Sequence, residues 1–231
     1  MTRPMLTCFA VLTLTPLLVA QPATQPAADA EPMSPGEQAN ADFVNKLDDA
    51  ALVEALRAGG HVVYIRHAQT EKDYADQVTA DVHDGSTQRV LSEEGWHQAK
   101  AIGAGFRALE IPVGDVISSE YFRAWQTADL AFGRYEKNAA LNFFPAEDYT
   151  DEQFAVMRER VMPLMVAVPE DGVNTVIVGH DDPFEAVTGI YPDPQGVAYV
   201  VKPTGDSYEL LARVPSEIWT DLAEAFGKDS P

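Results

Sequence analysis

Two short β-branched runs, HVVYI at 61–65 and TVIV at 175–178, each lead straight into a histidine, and no other feature constrains the fold as tightly. Runs of this length, apolar on both faces, suit strands buried in a parallel sheet. The first continues into Arg66-His67, the second into Gly179-His180. In an open α/β sheet the ligand crevice lies beyond the carboxyl ends of the strands. Both histidines are therefore expected at one crevice, however far apart they stand in the chain.

The rest of the pattern alternates between helical and strand periods, without an internal repeat. Residues 41–60 place Phe43, Leu47, Leu52 and Leu56 at helical spacing and close on a glycine pair, a helix stop. Residues 71–89 are polar and irregular and read as a loop over the strand end. A helix follows at 92–110 with Trp96, Ala99, Ile102 and Phe106 on one face, then a strand at 113–119 and a helix ending at Gly133. The segment 147–168 is helical in its second half, 182–189 is a short helix, and 197–203 with 207–214 form a hairpin across Thr204-Gly205-Asp206. A terminal helix covers SEIWTDLAEAF. Alternation of this kind predicts an α/β fold, a mostly parallel sheet with helices on both faces.

The amino-terminal segment has a different composition. Residues 1–20 combine Arg3 with the apolar stretch LTCFAVLTLTPLLVA and read as a signal peptide cleaved near Ala20, which predicts a periplasmic or secreted protein. Residues 21–40 are rich in Pro, Ala and Gln and read as a disordered spacer, leaving 41–231 as the folded domain. No stretch after the signal is apolar enough for an integral span. Cys8 is the only cysteine, so a chain cut near Ala20 has neither disulfides nor thiolate metal sites. A formal net charge of −20 disfavours nucleic acid as a partner and is expected to serve solubility. The oligomeric state is left open.

Three residue groups carry candidate chemistry. His67 after a strand can act as a nucleophile if it is neutral and one ring nitrogen donates to a fixed acceptor. Arg66 beside it disfavours imidazolium and offers a bidentate fork for phosphate. Arg123, in SSEYFRAWQTA, falls near a helix start that aims it at the same crevice; taken alone it could equally be a surface residue paired with Glu120 or Asp129. His180 could donate to a phosphoryl oxygen, although Asp181 or Asp182 after it could also simply cap a helix. Together they make a pocket suited to a phosphate.

These motifs resemble the histidine phosphatase superfamily, the phosphoglycerate mutase-like proteins. The family's R-H-G is met by Arg66-His67 with Ala68 in place of Gly, and its S-x-x-x-R-A-x-x-T-A by Ser119, Arg123, Ala124, Thr127 and Ala128. Gly179-His180 meets its G-H, and Leu91 to Gly95 its L-(T/S)-x-x-G. The resemblance, over about 61–214, implies a three-layer α/β/α sandwich and a small phosphorylated substrate. It also implies a phosphohistidine intermediate on His67, phosphate ligation by Arg66 and Arg123, His180 as second pocket histidine, and neither cofactor nor metal. Thr70 stands where the family often has Ser or Thr and is a further substrate-binding candidate. Asp73 stands where mutase-like members tend to have Asn, and the short segment between Arg123 and His180 favours a phosphatase over a mutase.

The general acid is the open assignment. Asp181, beside the second histidine, ranks first; Glu147, Asp148 and Glu152 are alternatives. Arg89 is a candidate third phosphate contact. His61, His83 and His97 are expected to be structural or solvent-facing, and Trp96, Trp125 and Trp219 to pack in the core. Two other readings compete. In one, His180-Asp181 belongs to a metal-dependent phosphohydrolase; in the other, the chain is a binding module on the same fold without catalysis.

Overall fold

The structure, a computed structural model, describes residues 32–228 apart from 74, 78, 79 and 146–148. The signal peptide, most of the spacer, and the candidates Glu147 and Asp148 lie outside the described residues. Among the described residues six strands form one sheet in the order β3-β2-β4-β1-β5-β6. They are β1 (Val62–Arg66), β2 (Val113–Ser118), β3 (Glu136–Lys137), β4 (Asn174–Gly179), β5 (Ala198–Pro203) and β6 (Tyr208–Val214). Pairs β3·β2, β2·β4 and β4·β1 are parallel; β1·β5 and β5·β6 are antiparallel. All five residues of β1 are buried, which is why that run carries no polar alternation.

Among the described residues seven helices complete the sandwich: α1 (Pro35–Ala41), α2 (Asp49–Ala58), α3 (Glu93–Ala108), α4 (Phe122–Phe132), α5 (Asp151–Val166), α6 (Asp181–Thr188) and α7 (Ile218–Phe226). Strand residues alternate between two cores. Val63, Ile65, Val176 and Val178 meet α2, α3, α4 and α7 on one face. Tyr64, Ile177 and Tyr199 meet α5 and α6 on the other, where Ala39 of α1 and Phe43 also pack. The expected three-layer α/β/α architecture is what the chain forms.

Three local expectations are corrected. The helix read at 41–60 begins only at α2, because Asp48 caps it by accepting from the Ala51 N–H at 2.9 Å. Phe43 and Leu47 therefore join opposite cores, as the segment between them crosses the sheet edge. There Lys46 N–H donates to Leu211 O at 2.8 Å and Arg213 N–H to Asn45 Oδ1 at 2.8 Å, covering the open edge of β6. Trp96 is 52 % exposed rather than in the core. The buried stripe of α3 runs instead through Gly95, Ala99, Ile102 and Phe106, and a Cβ on Gly95 would lie 2.0 Å from Gln69 O.

The third correction concerns the spacer. Residues 35–40, placed in it from their composition, form α1 together with Ala41 behind a Ser34 capping box, which accounts for Ser34, Pro35 and Glu37 in the sequence. Asn40 is buried and accepts from Tyr199 Oη at 2.6 Å and Arg213 Nε at 3.2 Å, while its amide donates to Asp193 O at 3.0 Å. Gly36 O accepts the Tyr191 N–H at 3.0 Å. The folded domain thus starts near Met33 rather than at 41. Asn40→Ala, which leaves the Tyr199 hydroxyl without its acceptor, is expected to lower unfolding free energy by about 1–3 kcal/mol in urea titrations. Truncation through Asn40 is expected to lower Tm further than that single substitution.

Candidate active site

The site lies at the carboxyl ends of β1, β4 and β2, and it is assembled by sheet register. Arg66 is level with Gly179, and the His67 N–H donates to Gly179 O at 2.9 Å. Ser119 follows β2 and donates its N–H to Val178 O at 3.0 Å. Arg66, His67, Arg123 and His180 are all buried, and they converge. Arg123 Nε donates to His67 Nε2 at 3.2 Å, and the two imidazole centroids stand 5.3 Å apart.

These bonds define the protonation of His67. Its Nδ1 contacts Ala68 O at 2.9 Å; a carbonyl can only accept, so Nδ1 carries the hydrogen. Nε2 then bears the lone pair, as its acceptor role toward Arg123 requires. Burial, then the Arg123 and Arg66 charges, hold the pKa of His67 well below its ordinary value. The Ala68 N–H donates to Thr127 Oγ1 at 3.0 Å and the Gln69 N–H to Gln98 Oε1 at 2.9 Å, so the turn after His67 is fixed at each amide.

His180 is oriented from its other side. Ser119 Oγ accepts the Tyr121 N–H at 3.2 Å and donates to Asn142 Oδ1 at 2.8 Å. Its remaining contact, His180 Nε2 at 2.9 Å, must therefore be donated by the ring. His180 Nδ1 is buried without a partner among the described residues, an open valence opposite the Ser119 bond. Tyr121 and Phe143 pack edge-on against this imidazole and also lie under the Arg123 guanidinium, at 5.2 and 5.1 Å. Burial and then Arg123 hold His180 well below its ordinary pKa.

Both guanidiniums are matched by carboxylates. Arg66 donates to Pro192 O at 2.7 Å and Asp193 Oδ1 at 3.2 Å, and forms a short ion pair with Asp181. Burial, the largest single influence, pushes the Asp181 carboxyl up, but Arg66, His67, the Tyr191 hydrogen bond and Arg123 together outweigh it and the group ends below its ordinary value. Arg123 pairs with Asp76 at 2.9 Å rather than with Glu120 or Asp129. The polar loop thus supplies an acidic residue the sequence did not single out: Asp73 is exposed, and Asp76 is the one that turns inward. Nothing in the composition of that loop separates the two.

The neighbouring acid behaves differently. Burial, then the charge of Asp181, push Asp182 up to about 7. Tyr149 Oη lies 3.0 Å from Phe144 O and 2.9 Å from Asp182 Oδ2. Its single hydrogen is shared between the two acceptors, and what it gives to Asp182 offsets part of that rise. Glu152 is exposed in the first turn of α5, where it faces the helix dipole.

Of the remaining candidates, Arg89 and Thr70 line a cavity of about 390 Å³ beside Arg66. The Thr70 hydroxyl accepts from Gln195 Nε2 at 3.2 Å, and the residue is buried. His83 and His97 are exposed, and Trp219 is in the core. Among the described residues no group of three or more His, Cys, Asp or Glu could hold a metal ion, and no helix is long and apolar enough to cross a membrane.

Comparison with known proteins adds to this geometry. Residues 62–143 match the sequence profile of the histidine phosphatase superfamily (branch 1). No curated protein matches the sequence. Among solved structures, the protein histidine phosphatase SixA complexed with tungstate is 13 % identical, with a TM-score of 0.50 over 68 % of this chain and 98 % of its own. A candidate alpha-ribazole-5′-P phosphatase from Escherichia coli is 14 % identical, at 0.51 over the same shares. A phosphoserine phosphatase variant from Entamoeba histolytica in complex with phosphoserine is 12 % identical, at 0.50, again over 68 % and 98 %. The chain has the fold of the histidine phosphatase superfamily, and its segment from β1 to just beyond α4 carries that superfamily's sequence pattern.

One consequence of the raised Asp182 is testable through stability. Its folded pKa lies above the unfolded value, so ionising it on raising the pH costs native stability. Asp182→Asn is therefore expected to gain stability relative to the parent as pH rises from about 3.8 to about 7 and to hold that gain above it. Paired urea titrations across that range check this; a pH-independent difference would contradict it.

Proposed function

We propose that the protein is an exported, metal-independent phosphatase that hydrolyses a phosphomonoester, or phosphohistidine, through a phosphohistidine on His67. The observation that carries this reading is the state of His67: neutral, with Nδ1–H on the Ala68 carbonyl and the Nε2 lone pair facing Arg123. Nε2 attacks phosphorus as the bond to the leaving oxygen breaks. The Arg66 and Arg123 forks stabilise the charge on the phosphoryl oxygens, and His180 joins them as a donor once its Nδ1, a bare lone pair in the free protein, takes up a proton as the phosphate anion enters. Water then attacks phosphorus, the N–P bond breaks, and His67 returns to its neutral form as inorganic phosphate leaves.

Asp181 is proposed as the general acid for the leaving oxygen. In the free protein it is an anion on Arg66. A phosphate competing for Arg66 loosens that pair, and its negative charge raises the carboxyl's affinity for a proton. Asp182, already raised to about 7, is the alternative within the same helix turn. The metal-dependent reading gains no support, because Asp181 is tied to Arg66 and His180 Nε2 to Ser119. Export rests on the composition of residues 1–20 and is checked by sequencing the amino terminus of the mature protein from periplasm or medium.

His67→Ala is expected to abolish turnover of nitrophenyl phosphate, and acid-quenched parent protein to carry phosphate on His67. Normal turnover in that variant would sink the mechanism. Arg123→Ala is expected to lower the rate on the order of 10²-fold or more. Excess chelator should leave the parent rate unchanged. Asp181→Asn should slow alkyl phosphates yet spare nitrophenyl phosphate, whose leaving group needs little protonation; that pattern in Asp182→Asn instead would move the acid by one residue.

The depressed pKa of His67 also sets the pH dependence. The nucleophile is competent while unprotonated, so kcat/KM should not fall as pH drops through 6.5, the ordinary histidine value. Its acid limb should lie well below that point.

A further inference from the structure

The cavity beside Arg66 lies next to the phosphate pocket and shares that arginine with it. Its volume, about 390 Å³, exceeds what one phosphoryl group fills. Its lining is one-sided in hydrogen-bonding character. Arg89 is half-buried, and its guanidinium makes no hydrogen bond or ion pair among the described residues. Lys72 likewise has no partner among them. Gln98 uses its carbonyl oxygen for the Gln69 N–H, and Gln69 uses its own for Ser92 Oγ at 3.0 Å. Both lining amides therefore keep NH₂ groups without an acceptor among the described residues. The one carboxylate in the lining, Asp193, is already paired with Arg66.

We propose that this cavity binds a second anionic group on the leaving portion of the substrate, a carboxylate or a second phosphoryl, with Arg89 and Lys72 as its charged ligands. The inference rests on the phosphatase reading for the position of the first phosphoryl and adds the substrate class. A lining of free donors, with two cations that have no ion pair or hydrogen bond among the described residues, is satisfied by acceptor oxygens carrying negative charge and by little else. It also accounts for three of the 16 Lys and Arg residues of a chain with net charge −20 gathering on one cavity. On this proposal Arg89, which the sequence offers as a third phosphate contact, engages the leaving portion of the substrate.

The test compares 4-carboxyphenyl phosphate with 4-carbamoylphenyl phosphate, which match in shape and differ in one charge. The parent protein should prefer the carboxylate by about tenfold or more in kcat/KM, which corresponds to about 1.4 kcal/mol. Arg89→Gln and Lys72→Gln should each cut that ratio severalfold, and Arg89→Lys should retain most of it. Phenylene 1,4-bisphosphate, run alongside, tells a second phosphoryl from a carboxylate by which is preferred. A ratio near one in the parent, or a ratio unmoved by both glutamine variants, overturns the proposal. If nothing is turned over, the phosphatase reading fails, but the subsite is still read by calorimetry with 4-carboxyphenyl- and 4-carbamoylphenylphosphonate. Equal affinity for the two phosphonates overturns it, and tighter binding of the carboxylate, lost in Arg89→Gln, upholds it.

Discussion

The parallel pairing of β1 with β4 is the constraint on which the site depends. Its register sets Arg66 opposite Gly179, so the residues that follow, His67 and His180, leave the sheet side by side. Tyr64, one strand residue before Ile65, reaches across that pair on the opposite face from the α3 core. Its hydroxyl donates to His180 O at 2.8 Å and accepts the His180 N–H at 3.1 Å. Gly179 makes this possible, because a Cβ there would lie 2.2 Å from the Tyr64 oxygen. One buried tyrosine thereby satisfies both backbone groups of the second histidine, and the same register that buries the core aligns the chemistry.

A second constraint is charge. Two guanidiniums almost removed from water are costly unless compensated. The fold compensates each with a carboxylate, Asp181 on Arg66 and Asp76 on Arg123, and adds aromatic faces from Tyr191, Tyr121 and Phe143. The remaining buried charge problem is the imidazoles, and it is solved by keeping both neutral. A nucleophile that must be unprotonated is thus held so by the groups that would bind its substrate. The support extends beyond the pocket: Asn40 of α1 holds the Asp193 carbonyl, and Gly36 holds Tyr191, the two residues that flank the Arg66 fork.

How much of this is legible in the sequence follows from whether a signal is local or depends on packing. Buried parallel strands announce themselves by composition, so HVVYI, TVIV and the histidines after them can be placed on one crevice from the residues alone. The ordered motifs around Arg66, Arg123 and His180 then indicate the fold. Asp76, Asn142 and Tyr191 are not legible, because each acts through a partner more than ten residues away or on another element, and their own neighbourhoods are ordinary polar loop. Composition misleads at two points. Proline, alanine and glutamine conceal a capped helix at 35–41, since Pro35 is favourable in its first turn. Trp96 reads as core because it is apolar at helical spacing, yet close packing of α3 on Gln69 leaves room only for Gly95 at that level.

The contrast between the whole surface and the site decides how an anion can be recognised. A net charge of −20 opposes the approach of a phosphorylated substrate at long range, but at physiological ionic strength that field is screened beyond about 8 Å. Inside that distance the balance changes sign. Arg66, Arg89, Arg123 and Lys72 sit around a single crevice, two of them already balanced by carboxylates and two of them free among the described residues. A substrate gains little from the pair that is balanced, since it must displace Asp181 or Asp76 to engage either guanidinium fully. It gains most where cations have no ion pair to give up, which is the cavity wall formed by Arg89 and Lys72. Selectivity in such a site comes from the part of the substrate that does not react, while the buried core of the pocket supplies the chemistry.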